Sequence, residues 1–301
     1  MAMPMFFLHR ATLGLTLLLQ IVVANSLIVT AAYSASSPLD KRDGQNTVTP
    51  GYGDRVQQPE QSSPTGNSPI TDWNAFTPPK NGIPGRRDGG GSRGPKQTGD
   101  CPSLTALIPE STMGRTASGQ PAFFLYISGA LDQKIFQFDI KGEDDKVLYK
   151  TTFSLSIDRP GIVGIQWSPN SKFITLEDNK NYRWYLGTEC DVNGGDRSND
   201  PYITGWINTA ALSADQKRQL QQSPDPLERL KVYVQEGLWH ETIATLATLR
   251  LNNSGDPSIK NNWDELLKSI GFDPAKKTIQ IQRENAQAIL DAPILKIQTN
   301  N

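Results

Sequence analysis

Large apolar residues are concentrated in one continuous part of the chain, from Leu104 to about Asp273. The preceding 65 residues, 36–100, hold nine prolines and eleven glycines and few large aliphatic side chains. Such a segment buries too little apolar surface to offset the entropy lost on ordering it. The sequence therefore predicts a disordered linker over 33–84, a single globular domain over 85–273 and a polar tail over 274–301.

The N-terminus has the three parts of a secretory signal. Arg10 precedes an uncharged, mostly aliphatic run from Ala11 to Val23, and small residues follow around Ala32. This pattern predicts a signal peptide over 1–32. The uncharged stretch is also long enough to span a bilayer, so an uncleaved anchor that contacts the membrane through 11–32 is the alternative. Both interpretations place the rest of the chain outside the cytoplasm, in the periplasm or at the cell surface.

The chain has two cysteines, Cys101 and Cys190. Two cysteines in an exported chain predict one structural disulfide, because the compartment outside the cytoplasm is oxidising. The bridge closes a loop of about 90 residues, for which chain entropy gives about 4–5 kcal/mol of stabilisation. Two buried free thiols are the alternative.

Short apolar or alternating runs separated by turn residues fill the first half of the domain, as is typical of β-strands. The alternation places Ile135 on one face of its strand and Phe136 and Phe138 on the other. No helical crossover separates the runs, so we expect an antiparallel β-sandwich or an open sheet of about seven strands. The predicted strands are Ala122–Ser128, Gln133–Ile140, Val147–Leu155, Gly161–Trp167, Lys172–Leu176, Lys180–Thr188 and Tyr202–Thr209.

Helix signals dominate the second half of the domain. Ser213 and Gln216 form a capping box for a first helix, and Asp225 caps a second helix that ends at Gly237. A third helix over Leu238–Leu251 and a short fourth helix follow. The fold class is therefore α+β, with three to four helices after the strands. The second and third helices resemble one tetratricopeptide-type hairpin, but an array needs about three repeats, so simple packing against the sheet is the preferred interpretation.

Charge argues against nucleic acid as a partner. The formal net charge is −1, whereas binding to a phosphate backbone needs concentrated positive charge. The basic residues that do cluster, Arg86, Arg87 and Arg93, lie in a glycine-rich run and form a candidate anion-binding site. A solvated linker explains the same run.

Few residues can support a specific chemistry. Beyond the predicted signal, His240 is the only histidine, and its place inside the third helix favours packing or exposure over catalysis. The chain lacks enough cysteine and histidine ligands for a zinc site, and it has no phosphate-binding loop or dinucleotide fingerprint, so we expect no nucleotide and no cofactor. The loop with Asp191, Asn193 and Asp196 offers oxygen ligands for calcium, but it lacks the closing glutamate and an Asx-rich turn explains it equally well.

Aromatic residues on the strands form a further candidate site. Tyr182 and Trp184 share one face of a predicted strand, and with Trp206 they form a possible stacking platform for sugars. Core packing is the alternative interpretation of these side chains. The acidic run 143–145 holds paired carboxylates of the kind that cleave glycosides, although an exposed hairpin tip explains it more simply.

Several strings occur in a fixed order along the chain: Gly85–Gly94, Cys101, Leu104–Pro109, Phe123–Tyr126, Gly161–Val163, Tyr182–Trp184, Cys190–Asp191, Gly205–Ile207 and Gly237–Arg250. Over about residues 82–272 the combination is similar to the cyanobacterial family called domain of unknown function 928. The resemblance implies a cyanobacterial exported protein, and it implies no activity because the family has no assigned catalytic or binding residues. It also implies that the Gly/Arg run belongs to the edge of the domain.

Together these features predict an exported cell-envelope protein that acts as a non-catalytic interaction module for an envelope protein or polymer. A carbohydrate-binding module that uses the strand aromatics is the first alternative. A hydrolase that relies on carboxylates alone is the second.

Overall fold

The computed structural model describes residues 73–76, 85–89, 101–168, 171–189 and 200–300. The described chain forms two five-stranded mixed sheets and five α-helices, which lie mostly after the strands. The predicted α+β class is confirmed, with about ten strands instead of about seven. The strands are β1 (Asp88–Gly89), β2 (Leu104–Ala106), β3 (Met113–Thr116), β4 (Phe123–Ile127), β5 (Leu131–Lys141), β6 (Val147–Ile157), β7 (Gly161–Trp167), β8 (Asn181–Thr188), β9 (Tyr202–Thr209) and β10 (Ile294–Asn300). The helices are α1 (Ala214–Gln222), α2 (Pro226–Gln235), α3 (Trp239–Asn252), α4 (Pro257–Ser269) and α5 (Gln280–Asp291).

Each sheet has one parallel pair at an edge. The strand order is β1-β2-β4-β7-β10 in the first sheet and β3-β9-β8-β5-β6 in the second. Strand β10 runs parallel to β7, and β3 runs parallel to β9, whereas the other pairs are antiparallel. The expected antiparallel arrangement therefore does not hold for these two edge pairs. Both parallel pairs join strands that are distant in sequence, which gives the long connection that a parallel pair requires.

The two sheets share one aromatic core. Phe136 and Phe138 of β5 are fully buried, whereas Ile135 on the opposite face is 57% exposed, as the alternation predicts. The Phe123 ring of β4, in the first sheet, has its centroid 5.1 Å from that of Phe138 in the second sheet. Edge contacts between aromatic rings add to the stabilisation that burial provides. The sheets therefore pack as a sandwich.

One predicted strand is wrong. Residues 172–176 lie outside both sheets, although Phe173 and Leu176 are buried. The Leu176 N–H donates to the Gly119 carbonyl at 3.0 Å, and the Phe173 ring lies 4.3 Å from the Trp167 ring, so core packing and a loop contact hold this segment. A short apolar run therefore contributes to the core without joining a ladder, which hydrophobic pattern alone does not distinguish from a strand.

The helix ends follow their predicted capping residues. Ser213 Oγ accepts a hydrogen bond from the Gln216 N–H at 3.2 Å, and the Gln216 side chain accepts one from the Ser213 N–H at 2.7 Å. The Asp225 carboxylate accepts from the Leu227 N–H at 3.0 Å at the start of α2. Helix α3 packs against α2 and α4 and contacts β3 and β4, which belong to different sheets. The helical hairpin thus packs on the sandwich, as the simpler interpretation predicts.

Part of the predicted linker belongs to the core. Residues 73–76 form one turn of 3-10 helix in which Trp73 and Phe76 are buried. The Phe76 ring lies edge-on to Trp239 of α3, with centroids 5.3 Å apart. Two large aromatic side chains bury enough apolar surface to order a short segment within a Pro/Gly-rich stretch.

The predicted polar tail also differs from the structure. After a 3-10 turn at Pro274–Lys276 the chain forms α5 and β10. Ile289 and Leu290 of α5 are buried, and the Pro293 carbonyl accepts from the Ile162 N–H of β7 at 2.8 Å where β10 begins. The few apolar residues of this segment are therefore sufficient to complete the first sheet.

Several predictions fall on residues outside the described ranges. They concern the signal over 1–32, Arg93, Cys190 and the loop with Asp191, Asn193 and Asp196. Within the described ranges, every helix is too short or too polar to span a bilayer.

Candidate functional site

A cavity of about 270 Å³ lies between the β1–β2–β4 edge of the first sheet and one side of α5. Side chains from the sheet, from the loops beside it and from α5 converge on it. The sheet side and its loops contribute Arg87, Asp88, Ser103, Thr105, Glu110, Tyr126 and Ser128. The helical side contributes Gly271, Phe272, Lys277, Gln282, Asn285, Ala286 and Ile289.

Arg87 is the most constrained charged group of this cavity. Its Nη1 donates to the Ile270 carbonyl at 2.7 Å, and its guanidinium lies over the Phe272 ring, 3.7 Å from the centroid. Nε and Nη2 are buried and have no hydrogen-bond partner. Burial lowers the pKa of Arg87 to about 10, against the opposing effect of the Asp88 and Glu110 carboxylates. Arg87 therefore carries its charge at neutral pH with two donors unused.

Glu110 and Lys277 form an ion pair at the cavity wall. Lys277 Nζ lies 3.4 Å from Glu110 Oε1. The Glu110 side chain crosses directly over Gly271, whose φ of 97° is in the left-handed region. A Cβ at this position would collide with the Glu110 carboxylate. The glycine after α4 thus permits both the turn and the passage of Glu110 toward Lys277.

The remaining polar wall is formed by hydroxyls and amides. Ser128 Oγ accepts from both the N–H and the Oγ of Ser103, each at 2.9 Å. Tyr126 is half-buried, and burial raises the pKa of its hydroxyl. Gln282 and Asn285 of α5 also line the cavity. Groups that both donate and accept therefore line the cavity together with the guanidinium.

The predicted aromatic platform does not form. Tyr182 and Trp184 do share one face of β8, but that face is buried, with exposed fractions of 5% and 3%. The Tyr182 hydroxyl accepts from the Glu177 N–H at 3.0 Å, and the Trp184 ring centroid lies 5.3 Å from that of Phe123. Trp206 is half-buried on β9. The alternative interpretation, core packing, describes Tyr182 and Trp184.

The predicted basic run does not act as one cluster. Arg86 lies over the Tyr202 ring at 4.3 Å and its Nε donates to the Asp88 carbonyl at 3.1 Å. Arg87 instead contacts Phe272 and lines the cavity. Neighbouring arginines on one extended segment therefore contact different parts of the fold. Of the run, Arg87 is the described residue that belongs to the candidate site.

His240 and Glu241 form a second buried polar group, away from the cavity. His240 Nδ1 donates to the Ala122 carbonyl at 2.8 Å, and burial lowers the pKa of the imidazole to about 4. Burial raises the pKa of the Glu241 carboxyl. Its Oε1 accepts from Thr116 Oγ1 and from the N–H groups of Ala117 and Ser118 at 2.7–2.9 Å. These bonds attach α3 to the loop after β3, which is a structural role.

Metal-binding groups do not assemble within the described residues, where no three histidine, cysteine, aspartate or glutamate side chains are placed to hold an ion. The acidic run 143–145 is at a hairpin turn, where Asp144 accepts from the Lys146 N–H at 3.1 Å and Glu143 accepts from the Asn181 side chain at 3.0 Å. These bonds agree with the interpretation of the run as a turn.

Sequence reasoning missed most of the cavity residues. Glu110 and Phe272 belong to no recognised motif, and Lys277 and Asn285 lie within the predicted polar tail. The signal that was present is the helical spacing of Gln282, Asn285 and Ile289, which places them along one side of α5. No local pattern indicates that this side faces the edge of β1 and β2.

Some known proteins are similar to parts of this chain. The CTP synthase of Blochmanniella floridana is 31% identical over 88 residues, which cover 28% of this chain and 16% of that protein. The C-terminal domain of wzt matches with a TM-score of 0.25 and 11% identity over 41% of this chain and 83% of that chain. An engineered protein matches with a TM-score of 0.23 and 16% identity over 36% of this chain and 20% of that chain. The chain thus spans a small part of the curated relative, and TM-scores this low support no statement about function.

A family model gives the broader match. The model described as Domain of Unknown Function (DUF928) aligns with residues 88–280. The match covers more than half of the chain and contains both sheets except for β10, helices α1–α4, and the Glu110–Lys277 wall of the cavity. The chain therefore belongs to the DUF928 family.

Proposed function

We propose that this chain is an exported, non-catalytic binding protein of the cell envelope, and that it holds its ligand in the cavity between the β1–β2–β4 edge and α5. The observation that carries the proposal is the cavity itself, with its buried, incompletely bonded Arg87. Ligand sites combine a concave surface with a few convergent polar groups. An envelope polymer or an envelope protein is the partner that we expect.

Two features support export. The first 32 residues have the arrangement of a secretory signal. The two cysteines, Cys101 and Cys190, suit one disulfide in an oxidising compartment. Expression of the full chain in a bacterial host tests this directly: we expect the purified protein to have lost residues 1–32 by mass. A full-length mass with both cysteines alkylatable before reduction contradicts export.

The binding proposal is tested by cosedimentation with insoluble envelope polymer. We expect the processed full chain to sediment with the polymer, and we expect Asn285→Ala, which alters the cavity wall, to weaken sedimentation at least about tenfold. Glu284→Ala changes a neighbouring exposed residue outside the cavity lining and serves as the control. Equal sedimentation of both variants with the unchanged chain shows that the cavity is not the binding site.

Hydrolysis by carboxylates is a second candidate function, because Asp88 and Glu110 both line the cavity. Paired carboxylates on opposite sides of a glycosidic bond are the minimum that such chemistry needs. Glu110 already pairs with Lys277 and is held over Gly271, so we rank binding first. Release of reducing ends from envelope polysaccharide, lost in Glu110→Gln, supports hydrolysis. Intact polysaccharide after prolonged incubation contradicts it.

A further inference from the structure

We propose that the cavity recognises an acidic sugar unit, with its carboxylate held by Arg87 and its hydroxyls held by the polar side chains that line the same cavity. The proposal rests on the proposed function, because it names the ligand of the same cavity. It follows from three properties of the described residues. They are the edge of the Arg87 guanidinium that has no hydrogen-bond partner, the charges of the neighbouring side chains, and the polar groups that line the cavity.

The unused nitrogens of Arg87 share one edge of the guanidinium. Nη1 is committed to the Ile270 carbonyl, whereas Nε and Nη2 have no partner. The N–H bonds of Nε and Nη2 run nearly parallel, and their spacing matches the two oxygens of a carboxylate. Phe272 lies against the face of the guanidinium, not in its plane. Arg87 is thus oriented for two parallel hydrogen bonds to a planar anion.

The charges around the cavity leave Arg87 in need of an acceptor. Lys277 pairs with Glu110 at 3.4 Å, and the Asp88 and Glu110 carboxylates act on Arg87 through their charge. Neither carboxylate forms a hydrogen bond with Nε or Nη2. A buried cationic donor without a partner is costly, and a ligand carboxylate at this edge removes that cost.

The rest of the cavity suits hydroxyl groups. Ser103, Ser128, Gln282 and Asn285 provide donors and acceptors on the walls, while Ile289 provides an apolar patch. Sugar rings present the same mixture of hydroxyls and C–H surface. A volume of about 270 Å³ is slightly below that of sites for drug-sized ligands, so it accommodates one ring.

A ligand reaches Arg87 only after part of the cavity wall moves, and we place this movement at the start of α5. Nε and Nη2 are shielded from solvent in the unliganded chain. Helix α5 begins at Gln280 without a side-chain cap, and its buried residues, Ala286, Ile289 and Leu290, lie in its second half. The residues of its first turn, 280–283, are all exposed, so this turn is the part of the wall that moves at the smallest loss of buried surface. Closure of this turn over the ring completes the site.

The experiment compares three matched ligands by calorimetry on the processed full chain. D-Glucuronate carries both carboxylate and hydroxyls, D-glucose lacks the carboxylate, and cyclohexanecarboxylate lacks the hydroxyls. We expect glucuronate to bind at least about tenfold more tightly than either of the others, because each lacks one of the two groups that the buried site pairs. Equal binding of glucose overturns the role of the carboxylate. Equal binding of cyclohexanecarboxylate overturns the role of the sugar hydroxyls.

Variants of neighbouring arginines identify the group responsible. Arg87→Lys keeps the charge and removes the parallel donors, so we expect it to weaken glucuronate binding at least about tenfold. Arg86→Lys is the matched control, since Arg86 lies on Tyr202 outside the cavity lining, and we expect unchanged affinity. Arg87→Gln, checked for folding by its thermal transition, gives a second test without the cation. Equal losses in Arg86→Lys and Arg87→Lys contradict the assignment.

The two proposals fail in different ways. If envelope polymer still sediments the chain but none of the three small ligands binds, the acidic-sugar inference is wrong and the proposed function stands. If neither polymer nor small ligand binds a folded chain, both are wrong. Binding of glucuronate without any polymer binding supports the inference and assigns the cavity to a free acidic sugar.

Discussion

Single residues at the start of α3 show how burial sets the state of a titratable group. The His240 side chain is buried, with 3% of its surface exposed. Its Nδ1 donates a hydrogen bond to the Ala122 carbonyl, and its Nε2 has no hydrogen-bond partner. Gly114 lies so close that a Cβ there would approach Nε2 at 2.5 Å. An imidazolium at this place needs an acceptor for its second N–H, and Nε2 has none among the described residues. Burial therefore keeps His240 neutral.

The first prediction concerns the pH dependence of stability. The pKa of His240 falls from 6.5 to about 4 on folding, so between these values the unfolded chain binds the proton and the folded chain does not. Stability is therefore fully present above pH 6.5 and falls as the pH drops toward 4. His240→Asn retains a donor for the Ala122 carbonyl and cannot titrate. We expect the wild type to lose about 3 kcal/mol relative to this variant between pH 7 and pH 4.

Urea unfolding of both proteins at several pH values provides the measurement. Glu241 has the opposite effect on the pH dependence of stability. Burial raises the pKa of its carboxyl, so the folded chain binds this proton before the unfolded chain does as the pH falls. Since both proteins contain Glu241, the difference between them isolates His240. Parallel curves for the two proteins show that the imidazole does not control this dependence.

The second prediction concerns Gly271, the turn residue beneath Glu110. Its positive φ disfavours a side chain, and a Cβ would meet the Glu110 carboxylate. We expect Gly271→Ala to lower the free energy of unfolding by about 1–3 kcal/mol. Gly255→Ala is the control, because a Cβ there meets nothing within 4 Å, and we expect it to change stability by less than about 0.5 kcal/mol. Similar losses in both variants would show that the turn at Gly271 is not special.

At the scale of helices and strands, the sequence predicts correctly those features that depend on residues close together in the chain. The capping box at Ser213 and the alternation around Ile135 are local signals, and the structure confirms both. Strand β3 was missed because its four residues pair with β9, about ninety residues later, and have little pattern of their own. Strand β10 was missed for the same reason. The candidate cavity depends on contact between residues 87–128 and residues 271–289, which are far apart in the sequence, so local patterns indicate only Arg87 among its residues.

The third prediction tests whether the C-terminal segment belongs to the fold. Removing residues 294–301 deletes β10, which pairs with β7 from Ile294 onward, and exposes the edge of a buried strand. We expect the truncated chain to lose at least about 2 kcal/mol, since the strand and at least one aliphatic contact are lost. Lys296→Ala removes one side-chain bond, to the Ser156 carbonyl at 3.1 Å, and keeps the strand. We expect this control to stay within about 0.5 kcal/mol. A truncated chain as stable as the full chain would contradict the assignment of β10.

For the molecule as a whole, the proposed bridge between Cys101 and Cys190 encloses more than half of the sandwich. Strands β2 to β8 all lie between these two positions, and they contribute to both sheets. Unfolding without the bridge frees all of these strands to separate. A closed loop of about 90 residues therefore restricts the unfolded chain much more than it changes the folded one.

The last prediction is that the bridge stabilises the chain by about 4–5 kcal/mol by the chain-entropy estimate. We expect Cys101→Ser, Cys190→Ser and the double variant to lose equal stability in urea unfolding, because breaking either end opens the same loop. Reductant should lower the wild type to the level of these variants and leave the double variant unchanged. Alkylation followed by mass measurement should add two labels to the wild type only after reduction. Two labels before reduction, or single variants that differ from the double variant, mean that the sulfurs are not joined and that the sandwich is stable through its packing alone.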